Sequence, residues 1–152
     1  MKVEHSATLR ITSDVHSPFE ISEALGVRPS TVTDTGDWEL EASAHGNEAS
    51  LEELIRAVTD PLLGLADELG SLASQGATIE LHLTRDLLGP GEGALCFMLD
   101  APVIILLGEV GAEVWIDEYD EVKWEQRAYA VRLIIPEPEV PGSVNLTADL
   151  GC

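Results

Sequence analysis

The chain has 152 residues, with 28 acidic side chains against 8 lysines and arginines and a formal charge of −20. A surface this negative repels nucleic-acid phosphates and anionic lipid headgroups, so neither nucleic acid nor membrane is an expected partner, whereas basic protein patches and cations are attracted. Apolar residues make up 45% of the sequence, enough for one domain with a real core, and no apolar run approaches the roughly 18 residues of a membrane span.

Met1 to His5 lacks a hydrophobic signal segment. Ala7 to Thr12 then alternates Leu9 and Ile11 with Thr8, Arg10 and Thr12, the period-two pattern of a half-buried strand. Ser17-Pro18-Phe19-Glu20 opens a helix: Ser17 caps free backbone N–H groups, Pro18 fits the first turn and Glu20 completes a capping box. Ile21, Ala24 and Leu25 form its inward stripe, and Gly26 ends it. Gly36-Asp37 reads as a turn before a strand from Trp38 to Ala42.

Ser50 and Glu53 make a second capping box, followed by a helical apolar stripe from Leu51 to Ala73. Asp60-Pro61 interrupts it, because proline removes a backbone donor and clashes with the preceding turn, so a kink or two abutting helices is expected. Ala77 to Thr84 alternates Ile79, Leu81 and Leu83 against Glu80, His82 and Thr84. Gly89 to Gly93 is a loop, Ala94 to Leu99 a mostly buried strand with Cys96 in its core, and Asp100 caps a short helix from Ala101 to Leu107. Ala112 to Tyr119 is a strand. Tyr129, Val131, Leu133 and Ile135 alternate as one more, and Pro136, Pro138 and Pro141 break regular structure, leaving the C-terminal residues as a tail.

The expected architecture is a single α/β (α+β) domain over residues 1–135 with a tail over 136–152. Its sheet is mostly antiparallel with helices on one face. The first and last strand–helix–strand units suggest a ferredoxin-like duplication. The two cysteines do not form a disulfide framework by spacing, which fits a reduced cytoplasm.

Leu9-Arg10-Ile11, Phe19 to Pro29, Gly36-Asp37-Trp38-Glu39-Leu40 and Val114 to Tyr119 together resemble a bacterial family, the domain of unknown function 4279, over roughly residues 7 to 120. The resemblance implies a compact α/β domain and supplies no active site to carry over.

No catalytic signature stands out. Gly89 to Gly93 lacks the lysine and following helix of a phosphate cradle. The histidines His5, His16, His45 and His82 lack metal-motif spacing, and no cofactor is implied. The densest carboxylate run is Asp117, Glu118, Asp120 and Glu121, which with Trp124 forms the expected binding edge. The expectation is a non-enzymatic interaction module for a basic protein partner, of toxin-neutralising or immunity type. The alternative is a small metal- or ligand-binding enzyme using the Asp117 to Glu121 edge. Tyr129, Val131, Leu133 and Ile135 form an apolar stripe that either contacts a second copy in a homodimer or pairs within its own sheet.

Overall fold

The computed structural model describes residues 3–88 and 95–120, and the backbone alone for 125–132. Its centre is β1 (Val3–Thr12), which pairs antiparallel with β3 (Trp38–His45) on one side and β4 (Thr78–Leu87) on the other. Beyond β4, β5 (Glu113–Asp120) runs parallel to it, and β6 (Glu125–Arg132) returns antiparallel to β5. At the other edge, β2 (Thr31–Val32) covers the first residues of β3. The order is β2-β3-β1-β4-β5-β6.

Alternation assigns the two faces. Ala7, Leu9 and Ile11 of β1, Ile79, Leu81 and Leu83 of β4, and Val114 and Ile116 of β5 are buried on one face. They join a single core with Ile21 and Leu25 of α1 (Pro18–Leu25), Leu54, Ile55 and Val58 of α2 (Leu51–Thr59), Leu69 and Leu72 of α3 (Ala66–Ser74), and Val103, Leu106 and Leu107 of α4 (Ala101–Glu109). The helices thus cover one face of a mostly antiparallel sheet, as the periodicities predict. Trp38 is the largest fully buried side chain among the described residues, and Gly26 stops α1 in the left-handed conformation at φ 66°.

Both capping boxes form: Ser17 N–H donates to Glu20 at 2.7 Å and Ser50 N–H to Glu53 at 2.7 Å. The Asp60-Pro61 break produces two helices, α2 and α3, joined through a 3-10 turn at Asp60–Leu62. No helix among the described residues is long and apolar enough to cross a membrane.

Four expectations need correction. The duplication fails in connectivity, because β1 and β3 are antiparallel neighbours around α1 whereas β4 and β5 are parallel neighbours around α4. Residues 95–100 form no strand. They run irregularly, and the partly buried Leu95, Phe97 and Leu99 pack against the core while the Met98 N–H donates to Glu52 Oε1 on α2 at 3.2 Å. Cys96 in this segment is exposed and disulfide-bonded, not a buried free thiol. Asp100 occupies the N-cap of α4 but makes no side-chain cap, because its carboxylate is bonded instead to Arg56 Nε of α2 at 2.6 Å. That hydrogen bond and the guanidinium charge hold the Asp100 carboxyl below its ordinary range. The Gly89 to Gly93 loop and the tail over 136–152 lie outside the described residues.

Candidate interaction face

The face of the sheet opposite the helices is built from the alternate residues of the same strands, and no described helix packs on it. Register sets its rows, since residues paired across strands share a face. One row runs Glu39, Arg10, Glu80, Glu113; the next Glu41, Thr8, His82, Trp115; the third Ser43, Ser6, Thr84, Asp117; the last His45, Glu4, Asp86, Tyr119. An apolar core face and an acidic outer face therefore come from one set of strands.

The contacts across these rows are specific. Arg10 Nε meets Glu39 Oε1 at 2.6 Å, and Glu39 is only 6% exposed, so the guanidinium neutralises a nearly buried carboxylate. His82 Nε2 lies 3.2 Å from Glu80 Oε2, and His45 Nδ1 lies 3.0 Å from Glu4 Oε1. The His82 and Trp115 rings stack with centroids 6.2 Å apart and planes 16° from parallel, while the Trp115 indole N–H donates to Glu113 Oε2 at 3.2 Å. The result is a stacked imidazole–indole platform on β4 and β5, flanked by carboxylates from the adjacent row. Such a platform offers a cation both a π-face and ionised oxygens.

The expected binding edge divides. Asp117 belongs to this polar face, next to Trp115. Glu118 lies on the opposite face, its Oε2 3.0 Å from Arg85 Nε, and Asp120 shares that side by register. The strand's alternation separates them, and no group of three or more His, Cys, Asp or Glu among the described residues is placed to hold a metal ion. Glu121 and Trp124 lie outside the described residues, as do Leu133 and Ile135. Tyr129 and Val131 sit opposite Ile116 and Val114 in the β5–β6 ladder, the register of the helix-covered face, so β6 pairs within its own sheet. What sequence reasoning missed is the union of His82 with Trp115. Each alternates outward on its own strand, but their meeting depends on the parallel β4–β5 register.

Arg85 and Glu118 continue toward His5, whose Nδ1 is buried without a hydrogen-bond partner among the described residues. Burial, with the Arg85 charge second, pushes the His5 pKa down against an opposing pull from Glu52. Burial thus favours the neutral form of the imidazole.

Fold and face together define an α+β domain with one helix-packed side and one acidic side bearing an aromatic platform. The chain belongs to the family described as domain of unknown function DUF4279, whose family model matches residues 3–121. No curated protein and no solved structure matches the chain.

Proposed function

We propose that this protein is a non-enzymatic interaction module that binds a basic protein partner through the outer face of its sheet. A neutraliser of a basic toxin domain is the kind of role this fits. The observation that carries the reading is the His82–Trp115 stack set among Glu80, Glu113 and Asp117. Among the described side chains that face holds one arginine, Arg10, already tied to Glu39, and the β5–β6 register places Arg132 on the same face opposite Glu113. An incoming arginine or lysine would find an aromatic face for stacking and free carboxylate oxygens for charge-assisted hydrogen bonds. The surrounding negative field would steer such a partner and raise the association rate by roughly 10- to 1,000-fold, with strong salt dependence.

The experiment is surface plasmon resonance against basic proteins encoded by genes adjacent to this one, at 50 and 500 mM NaCl. The expected result is an association rate that falls at least tenfold at high salt and an affinity that drops at least tenfold in Trp115→Ala, with an unchanged circular dichroism spectrum. Unaltered affinity in folded Trp115→Ala, or binding indifferent to salt, overturns the reading.

A further inference from the structure

The helical side of the molecule carries a recess, away from the polar sheet face. His16, just before α1, and Gln75, just after α3, are joined by a 2.7 Å contact between Nε2 and Oε1. This ties the start of α1 to the end of α3. Between the two helices lies an open groove of about 420 Å³. Ala24 and the buried Leu72 give it an apolar floor, and Glu20, Glu23 and Glu68 line it with carboxylates.

Glu39, Asp100 and Glu118 each have an arginine, and Glu4 and Glu80 each have a histidine. In the groove, Glu23 and Glu68 make no hydrogen bond or ion pair among the described residues, and His16 is engaged with Gln75. Glu20 spends one oxygen on the Ser17 N–H, a bond that favours the ionised form and lowers its pKa. Three like charges therefore border one apolar recess without a lysine or arginine lining it. A cation placed there relieves their mutual repulsion.

We propose that the groove between α1 and α3 is a docking site for a lysine or arginine side chain of a basic partner protein. The methylene stem lies along Ala24 and Leu72, and the charged head sits among Glu20, Glu23 and Glu68. Long basic side chains suit such a recess because they combine an apolar stem with a hydrated, charged tip. This groove shares with the sheet face only the basic character of the partner; the surface is a different one.

The test is an NMR titration of the full chain with the blocked peptide acetyl-Ala-Ala-Arg-Ala-Ala-amide, with the glutamine version of the peptide as control. Saturable shifts are expected at Ala24, Ser71, Leu72 and Gln75 with the arginine peptide only. Glu23→Gln/Glu68→Gln weakens that binding at least fivefold, whereas Asp34→Asn/Glu109→Gln, which removes the same charge elsewhere, leaves it within twofold. No saturable shifts, shifts spread evenly over the acidic surface, or equal weakening in both double variants overturns the proposal. Trp115→Ala separates the two readings: groove shifts that persist in it stand on their own, whatever becomes of the sheet-face contact.

Discussion

Trp38 is fully buried, and its indole N–H donates to Ser22 Oγ at 3.1 Å while the Ser22 hydroxyl donates to the Pro18 carbonyl at 3.0 Å. One serine thus satisfies a buried donor of β3 and fastens it to the first turn of α1. Ser22→Ala leaves the indole N–H without its partner and should cost about 1–3 kcal/mol in urea unfolding. Trp38→Phe removes that donor, so Ser22→Ala made in the Trp38→Phe background should cost less by the hydrogen-bond part, which the double-mutant cycle reads as a coupling energy. A strictly additive cycle would show that the bond contributes nothing. His5 supplies a pH-dependent counterpart. Its folded pKa is lowered from 6.5, so the unfolded chain binds the proton more readily. No penalty exists well above pH 6.5. It appears as pH falls through 6.5 and is complete below the lowered folded value. Wild type should therefore lose stability relative to His5→Gln between pH 7 and 5, measured as the difference in urea midpoints. A constant difference would remove His5 from the account. Mild acid is thus not equivalent to salt for this chain, even though both reduce repulsion between carboxylates.

Strand edges show what a short pattern can and cannot reveal. β2 covers only the first two residues of β3, which leaves the rest of that edge open to pairing with another chain. Side chains blunt it: Ser30 Oγ accepts from the Glu41 N–H at 3.1 Å, and Glu48 Oε2 accepts from the His45 N–H at 3.2 Å. Removing both in Ser30→Ala/Glu48→Ala should free two outward donors and produce concentration-dependent association in light scattering, with the helical signal retained. A monodisperse double variant would show that the edge needs no such protection. These caps were not legible, since a serine after a proline and a glutamate in a loop carry no sign of the strand they serve. The helix starts were legible because Ser17–Glu20 and Ser50–Glu53 complete their caps within four residues. Residues 95–100 misled for a related reason. Alternation reports which side chains are buried, not whether the backbone finds a ladder, and here the Met98 N–H finds Glu52 instead. The same limit hid the candidate face. Glu80, His82, Glu113 and Trp115 alternate outward visibly, but only the parallel pairing of β4 with β5 stacks the imidazole on the indole.

At the scale of the whole molecule, a charge of −20 on 152 residues makes electrostatic self-repulsion a general cost of the compact state. Short ion pairs such as Arg10–Glu39 and Arg85–Glu118 offset it only locally, because eight basic side chains cannot match 28 acidic ones. The remaining repulsion acts over a Debye length that shrinks from about 30 Å at 0.01 M salt to about 10 Å at 0.1 M, comparable to the spacing of carboxylates on such a surface. Raising NaCl from 10 to 300 mM at pH 7 should therefore increase the melting temperature. A relief of ~1–2 kcal/mol corresponds to about 3–6 °C for a domain of this size. Chloride is the right anion for the measurement, since sulfate strengthens apolar burial by exclusion and would mimic the effect. Magnesium or calcium chloride at matched ionic strength tests whether screening alone is at work. Repulsion relieved by the ion atmosphere predicts nearly the same rise for each salt. A much larger rise with one divalent cation would instead signal mass-action binding at a defined site, and would favour the cation-binding reading of the Asp117 edge over the interaction module.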